Sequence, residues 1–486
     1  MKERTASLKI GKKAFLLAFF IILGLMIVSG ILTKVVQPGE FERVSVNGRE
    51  QVVPGSFEFR QPPEYPVWRW FTAPVEVLYS EGNLPVITII LFLIFVGGSF
   101  TILELGGVIE SLLNLMVRKF GTRKYLLMGI LIFFFMFLAA FLGIYETLIP
   151  LVVLIVPLAH AMGWDSMTGL GMSLLPLAFG FSAAVTNPFT IGVAQTIAEL
   201  PLFSGAWLRL IFFTVIFFLV YLYVRRYAKK IERKPESSPV YREDIPVKES
   251  LARSTHTAQV DEGLPKYMKR ALTWFGACMG AAIVFVLVTS QIPALSDAAF
   301  PVMALLFLIG GIGSGLLAKM GGKGVLKAFS RGTINMLPGV ILIMMSMSVK
   351  HIVDQGMITD TILYRAGTII GGASPFSAAL LIYLLTLIMN FFIGSASAKA
   401  FLMMPILVPL ADLVGITRQT SVLAFDMGDG FSNMLYPSNA ILIIALGLTV
   451  VSYPKWVKWS IPLQALIFAI SIGFIGIAVA VNFGPF

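Results

Sequence analysis

The chain has 486 residues, of which 57% are hydrophobic and only 13% are charged. Soluble domains average roughly 45–50% apolar and about 25% charged residues, so this composition predicts a polytopic membrane protein. The net charge of +11 does not indicate nucleic-acid binding, because the basic residues lie beside apolar segments, as the positive-inside rule predicts. A single cysteine, Cys278, excludes a disulfide framework, and three histidines far apart in sequence argue against a zinc site.

A basic N-terminus, which is predicted to be cytoplasmic, precedes the first half of the chain, residues 14–226. An apolar run follows it, and residues 37–83 carry more acidic than basic residues and are predicted to lie outside. A second apolar run, 84–105, then leads to a basic stretch on the cytoplasmic side.

Two further apolar runs are joined by residues 143–147, and the second run is too short to cross a bilayer. We therefore predict a re-entrant hairpin over residues 125–163, with its tip inside the membrane. Residues 169–198 form the next segment, interrupted at 186–190, and a final span ends in a basic run. An interrupted helix at membrane depth is tolerated only where it is buried in protein or lines a wet cavity.

Residues 227–270 are polar and are predicted to form a cytoplasmic linker, which a connecting span over 271–290 follows. The second half, residues 298–482, again contains a hairpin (375–415) and a broken helix (421–450). The tip of this hairpin is residues 394–399, and the helix is interrupted at 432–439. The fold class is therefore an all-α polytopic membrane protein with about nine spans, two re-entrant hairpins and an outside C-terminus.

The two halves also match in sequence at a nearly constant offset. Val156-Pro-Leu-Ala corresponds to Val408-Pro-Leu-Ala (408 − 156 = 252), and Gly180-Phe-Ser corresponds to Gly430-Phe-Ser (430 − 180 = 250). The extra span at 271–290 adds one membrane crossing, so the second half is predicted to have the opposite orientation and the repeat to be inverted across the membrane. Inverted repeats with broken helices at equivalent positions are typical of alternating-access carriers, with the substrate site near the midplane.

Both hairpin tips and both helix interruptions are therefore predicted to meet in one site. Helix N-termini favour a carboxylate, and carbonyl ends favour a cation such as Na⁺. The predicted substrate-binding residues are Tyr145, Glu146, Thr147, Asn187, Ser395, Ser397, Lys399, Asp429, Asn433, Ser438 and Asn439. The predicted ion-binding residues are Gly143, Thr186, Asn187, Gly394, Ser432 and Asn433.

The charged members of this set leave the chemistry open. Lys399 can pair with a substrate carboxylate or with a protein carboxylate, and Glu146 can bind an ammonium, carry a proton or only satisfy Lys399. Asp426 and Asp429 precede the second interruption and are further candidates for a cation or an amino group. A site that holds both signs suits a zwitterion, such as an amino acid, better than a dianion.

The motifs GSASAKAFLMMPILVPLADLVG and FDMGDGFSNMLYPSNAIL, with GFSAAVTNPFTIGVAQTIAELP in the first half, resemble the C4-dicarboxylate anaerobic carrier (DcuC) and YfcC group of the ion transporter superfamily. The resemblance covers nearly the whole chain. It implies a secondary carrier in a bacterial plasma membrane, a homodimer and elevator-type movement. Family substrates include dicarboxylates and basic amino acids. The first tip, GIYETL, lacks the Ser-Asn-Thr triplet of the dicarboxylate/sodium symporter relatives, which weakens the case for dicarboxylate and Na⁺.

The leading hypothesis is an ion-coupled symporter or antiporter of small carboxylate-bearing metabolites, with amino acids, basic ones among them, as the favoured substrates. A C4-dicarboxylate carrier is the alternative. The coupling ion is Na⁺ or H⁺, and no other cofactor is expected. A passive channel would not need inverted hairpins. Met427-Gly-Asp-Gly430 superficially suggests an intramembrane aspartyl protease, but no partner aspartate motif accompanies it, so the chain is not expected to be an enzyme. The absence of a Walker A pattern argues against an ATP-driven pump.

Overall fold

A computed structural model describes residues 12–46, 49–80, 84–145, 148–255, 264–289 and 299–484 of the chain. Six helices within these residues are long and apolar enough to cross a membrane, which agrees with a multi-pass membrane protein. The predicted number of about nine spans stays a prediction. The six are Gly121–Leu142, Ala206–Arg233, Gly321–Gln355, Pro375–Phe392, Ala396–Val414 and Tyr453–Ala480.

The described part of the first half is mostly helical. Its helices are α1 (Lys12–Val35), α2 (Arg69–Glu76), α3 (Leu84–Leu105), α4 (Val108–Phe120), α5 (Lys124–Leu142), α6 (Ile149–Ala161), α7 (Ser166–Ser182), α8 (Val193–Ile197) and α9 (Ala206–Arg233). A π-helical turn over Pro188–Gly192 precedes α8. Helix α5 stops at Gly143, which takes the left-handed conformation (φ 69°) that favours glycine.

Two helices connect the halves, and the second half then follows the order of the first. The connecting helices are α10 (Tyr241–Thr255) and α11 (Lys266–Thr289). The second half contains α12 (Ala299–Leu317), α13 (Gly321–Gln355), α14 (Thr359–Gly371), α15 (Pro375–Phe392), α16 (Ala396–Val414), α17 (Arg418–Gly428), α18 (Ala440–Gly447) and α19 (Tyr453–Ala480), with a 3₁₀ turn at Phe431–Met434. The succession from α3 to α9 thus corresponds element by element to that from α13 to α19, as the sequence repeat predicts. Its inversion across the membrane stays a prediction.

Glycines bring equivalent helices close together in the two halves. A Cβ atom at Gly180 of α7 would lie 2.4 Å from the carbonyl oxygen of Met136 in α5. A Cβ atom at Gly428 of α17 would lie 2.8 Å from the carbonyl oxygen of Tyr383 in α15. Small residues allow such close backbone approach between membrane helices. Helix α7 is therefore packed tightly against α5, and α17 is packed tightly against α15.

The all-α class is wrong for residues 39–59, which contain two small antiparallel sheets. Strand β1 (Gly39–Glu40) pairs with β4 (Glu58–Phe59), and β2 (Arg43–Val46) pairs with β3 (Arg49–Val52). This polar segment lies outside the apolar runs, so lipid does not force its backbone into helices. Asp360 of α14 holds it in place by accepting hydrogen bonds from Phe41 N at 3.0 Å and from Arg43 at 2.8 and 3.0 Å.

The polar segment after α9 folds back onto the helical body. Asp244 of α10 is buried and accepts hydrogen bonds from Ser166 N at 3.0 Å and Ser166 Oγ at 2.5 Å. His160 Nε2, near the end of α6, lies 2.9 Å from the same hydroxyl. Helix α10 is thereby joined to the end of α6 and the start of α7.

Candidate functional site

In each broken helix, an asparagine caps the helical segment that follows the interruption. The side-chain oxygen of Asn187 accepts hydrogen bonds from Phe189 N at 2.8 Å and Thr190 N at 3.3 Å. The oxygen of Asn439 likewise accepts from Ile441 N at 3.0 Å and Leu442 N at 3.2 Å. Such N-caps satisfy backbone N–H groups that the first helical turn leaves unpaired. These two predicted site residues therefore shape the interruptions, and their carbonyl oxygens are already used.

The two broken helices contact each other, and the helix pair α15–α16 contacts the first interruption. Phe431 N donates a hydrogen bond to Ser182 Oγ at 2.5 Å, so the second interruption contacts the end of α7. A Cβ atom at Gly430 would lie only 2.4 Å from Ser182 Oγ, which leaves room for glycine alone. Ser397, at the tip of the second hairpin, donates to Phe189 O at 3.0 Å. Elements from both halves of the chain thus meet, and the predicted meeting of both tips and both interruptions in one site stays a prediction.

Lys399 forms a buried ion pair with a protein carboxylate. Its side chain is 0% exposed, and Nζ lies 2.6 Å from Asp429 Oδ1 and 2.5 Å from Asn390 Oδ1. Asn390 Nδ2 donates to Ser432 Oγ at 2.6 Å. A continuous chain of hydrogen bonds therefore links α15, α16, the end of α17 and the following turn. Between the two alternatives for Lys399, this arrangement favours pairing with a protein carboxylate.

A second pair of opposite charges lies beside the first. Asp426 is 1% exposed and interacts electrostatically with Arg209, Asp429 and Thr190. Arg209 is equally buried and donates to the carbonyl oxygens of Val185 at 3.1 Å and of the loop before α9. The two aspartates and two basic residues sum to zero charge. This balance is what a low-dielectric interior requires, because unpaired buried charges are strongly destabilising.

The two aspartates nevertheless keep free hydrogen-bonding capacity. Asp426 Oδ1 and Asp429 Oδ2 are buried and have no hydrogen-bond partner among the described residues. Buried polar atoms without partners are uncommon in native proteins and call for an explanation, such as an ion or a functional role. In this cluster, acceptor oxygens therefore remain available for a cation, an ammonium group or a proton.

The remaining predicted residues divide by their contacts. Several form hydrogen bonds with backbone atoms: Thr186 donates to Phe141 O, Ser438 donates to Phe391 O, and Ser395 accepts from Ala398 N. Asn433 accepts from Asn439, the ring of Tyr145 packs against Phe181, and Gly143 lies against Asn187. Gly394 is exposed at its tip. Glu146 and Thr147 lie outside the described residues.

Asn390 and Arg209 contribute to the cluster but are not among the predicted residues. Asn390 is an amide in the apolar helix α15, and a polar side chain in such a helix is itself a signal of function. Arg209 corresponds to Lys458 in the repeat, where the basic residue suits a membrane interface. Only the position of Arg209 in three dimensions distinguishes it from an interfacial cation.

Two curated proteins are similar to the chain in sequence. YfcC of Escherichia coli (strain K12), provisionally named a basic amino acid antiporter, is 29% identical over 483 residues, covering 93% of this chain and 94% of that protein. An uncharacterized protein of Haemophilus influenzae is 25% identical over 384 residues, covering 79% of this chain and 74% of that protein.

Two solved structures also match. One comes from a study of Neisseria gonorrhoeae MtrF and a class of antimetabolite efflux pumps, with 17% identity, a TM-score of 0.42 and coverage of 96% of this chain and 95% of that chain. The other is the Alcanivorax borkumensis YdaH transporter, with 17% identity, a TM-score of 0.42 and coverage of 97% and 100%.

The family described as the C4-dicarboxylate anaerobic carrier, DcuC, matches residues 15–480. This match spans nearly the whole chain and includes both broken helices and the charged cluster between them. The chain belongs to the C4-dicarboxylate anaerobic carrier (DcuC) family of membrane transporters.

Proposed function

We propose that the protein is a secondary active transporter of small carboxylate-bearing metabolites, with amino acids as substrates and Na⁺ or H⁺ as the coupling ion. The observation that carries this proposal is the buried cluster of Lys399, Asp429, Asp426 and Arg209, which combines residues from both halves of the chain. Charged residues at membrane depth are costly and typically mark substrate or ion pathways. Family membership supports the assignment as a transporter, and the cluster supports the proposed location of the substrate site.

Amino acids suit this cluster because it offers both signs of charge. The unpaired oxygens of Asp426 and Asp429 suit an ammonium group or a cationic side chain, and they equally suit a coupling ion. Lys399 becomes available to a carboxylate when the substrate ammonium replaces it at Asp429. The provisional name of YfcC supports basic amino acids in particular.

A C4-dicarboxylate carrier is the second candidate, and the description of the family favours it. In that case Lys399 and Arg209 would bind the two substrate carboxylates, and both aspartates would have to be neutralised by protons or Na⁺. The two candidates therefore differ at the aspartates. An amino acid brings a positive ammonium group to them, whereas a dicarboxylate brings only negative groups.

We further propose that α5–α6 and α15–α16 are re-entrant hairpins of an elevator-type carrier, which forms a homodimer in a bacterial inner membrane with its N-terminus in the cytoplasm. Helix α6 has 13 residues, fewer than the roughly 20 that a span needs, which supports the first hairpin. Gly394 and Ser395 at the second tip are exposed, which supports a tip that contacts solvent during the transport cycle.

The test is counterflow in proteoliposomes that contain the purified full-length protein. Labelled arginine, lysine, alanine and succinate are offered separately, each with and without Na⁺ and with and without a pH gradient. Saturable uptake of an amino acid supports the first candidate, and saturable uptake of succinate alone supports the second. Conductance that does not saturate would indicate a channel and contradict both candidates.

A matched pair of variants ties uptake to the cluster. Asp426→Asn removes a buried carboxylate, and Asp412→Asn removes a partly exposed one on α16. We expect the first variant to lose uptake or its dependence on the ion gradient, and the second to retain both. Unchanged uptake in Asp426→Asn would remove this residue from the site.

A further inference from the structure

The basic end of α9 forms a concave surface of one charge sign. Arg226, Lys229, Lys230 and Arg233 are spaced three, four and seven residues apart, so they share one face of the helix. Together with Lys234 and Ser237 they line a surface cavity of about 400 Å³. This cavity lies at the end of α9, and Arg226 follows Arg209 of the charged cluster by 17 residues (226 − 209), or about 25 Å along the helix.

No carboxylate of the described chain neutralises this surface. None of its five basic residues forms an ion pair with a described residue. Glu232 lies on the same helix, but its oxygens accept from Lys124 at 2.6 Å, Tyr125 at 2.7 Å and Trp164 at 2.6 Å. Like charges held this close repel one another, so an anion bound among them would stabilise the folded protein.

The same helix face becomes apolar and exposed towards the other end of α9. Ile211, Phe218 and Leu222 are 49%, 54% and 39% exposed and precede Arg226 by fifteen, eight and four residues. Helical positions at such spacings lie along one stripe. A ligand that follows the stripe therefore needs an anionic group at one end and long apolar chains at the other.

Aromatic rings lie at the boundary between the two parts. The guanidinium of Arg225 lies 5.5 Å from the ring centre of Tyr125, and Lys229 Nζ lies 5.6 Å from the same centre. Tyrosine and basic side chains are enriched where a membrane helix leaves the hydrocarbon and reaches the headgroups. The cavity is thus at the depth where a phospholipid carries its phosphate.

We propose that this surface binds the headgroup of an anionic phospholipid. The phosphate lies among Arg226, Lys230 and Arg233, and the acyl chains run along Phe218 and Leu222. A zwitterionic lipid binds more weakly, because its positive headgroup charge meets the same basic side chains. The site is independent of the transported substrate.

The test uses the purified full-length protein in a nonionic detergent. Phosphatidylglycerol, phosphatidylcholine or inorganic phosphate is titrated in, while the thermal midpoint and, by native mass spectrometry, the bound lipid are measured. We expect phosphatidylglycerol to bind and to raise the midpoint, and the other two to do so much less. An equal effect of inorganic phosphate would show a soluble anion site and overturn the proposal, and so would an equal effect of phosphatidylcholine.

The variant Arg226→Gln/Lys230→Gln/Arg233→Gln should bind phosphatidylglycerol about a hundredfold more weakly, and Arg226→Gln alone about fivefold. All three side chains are exposed, so the fold should be kept, and the single variant serves if the triple one fails to fold. The control, Lys323→Gln/Lys327→Gln/Arg331→Gln in α13, removes the same charge and should bind as the wild type does. An equal loss in the control would show that only overall charge matters, which contradicts a specific site.

Discussion

The Lys399–Asp429 pair is the residue-scale feature on which the charged cluster depends. Both side chains are buried, and Lys399 Nζ lies 2.6 Å from Asp429 Oδ1, although the two residues are 30 positions apart in the sequence. A buried ion pair is weak support for stability as a whole, but removing one partner leaves an uncompensated charge. The pair is therefore expected to respond differently to single and double substitution.

We expect Lys399→Met and Asp429→Asn each to lower the free energy of unfolding by about 3–5 kcal/mol. The double variant should be more stable than the sum of the two single effects predicts, since neither charge is then left alone. Thermal unfolding of the detergent-solubilised protein measures this. The control is the partly exposed pair Lys455–Glu243, whose removal should cost roughly 0–1 kcal/mol. Wild-type unfolding of Lys399→Met would contradict a buried pair in the folded protein.

Gly430 is the second residue-scale test, because its lack of a side chain allows the start of the second interruption to approach the end of α7. Gly430→Ala should destabilise the protein by about 1–3 kcal/mol and reduce transport, since the added Cβ would lie 2.4 Å from Ser182 Oγ and 2.5 Å from Ser182 N. Gly473→Ala in α19 is the matched control, with no atom within 4 Å of its added Cβ. The measurements are thermal unfolding and uptake into proteoliposomes. Equal behaviour of the two variants would exclude close contact at Gly430.

At the scale of elements, helix α10 shows how a polar segment becomes part of the packed structure. Its composition is that of a linker, but Asp244 is buried against Ser166 and His160, and Glu243 of the same helix forms an exposed ion pair with Lys455 of α19. These contacts connect the segment between the halves to both of them. A movement of the first hairpin relative to α19 would have to rearrange them.

The docking of α10 is expected to depend on Asp244 and on pH. Burial alone would raise the pKa of the Asp244 carboxyl, but hydrogen bonds and attraction from His160 and hydrogen bonds from Ser166 hold it below its ordinary value. A lowered pKa means that the carboxylate stabilises docking above the ordinary aspartate pKa and that this contribution disappears as pH falls through the lowered value. The protection factors of residues 241–255 against hydrogen exchange, which correct for the intrinsic pH dependence of the exchange rate, should therefore be high at neutral pH and fall below about pH 4.

The variant Asp244→Asn should show fast exchange in the same segment already at neutral pH. Glu243→Gln, on the exposed side of the helix, is its control and should exchange at the wild-type rate, because exposed ion pairs contribute little. Slow exchange in Asp244→Asn would mean that apolar contacts, such as those of the buried Val240, hold the helix instead.

For the whole molecule, the predicted orientation can be tested with single cysteines, because the chain has only Cys278. In a Cys278→Ala background, Glu58→Cys should react with an impermeant maleimide applied outside intact cells, and Glu236→Cys should react only after lysis. Both positions are exposed, so access depends on the side of the membrane. The reverse pattern would contradict the topology with a cytoplasmic N-terminus.

The order of the elements is the part of the fold that the sequence predicts best. Hydropathy and the offset of about 250 residues predict helical segments whose ends lie within a few residues of those of α5–α6, α7–α8, α15–α16 and α17–α18 in the structure. The hydropathy pattern predicts each helix from its own segment of sequence, because a helix in lipid must satisfy its backbone hydrogen bonds within itself. The small sheets at residues 39–59 and the docked α10 lie outside the apolar runs, where that constraint does not apply.

The sequence by itself determined that this is a multi-pass membrane protein of duplicated design, and it pointed to Lys399, Asp429 and Ser432 as neighbours of the second interruption. Only the tertiary structure decided that Lys399 pairs with Asp429, and it brought the unpredicted Asn390 and Arg209 into the cluster. The physical reason is that an ion pair depends on a separation of a few ångströms between side chains from distant segments. Hydrophobic periodicity fixes which segments cross the membrane, but it carries no information about which side chains face one another across them.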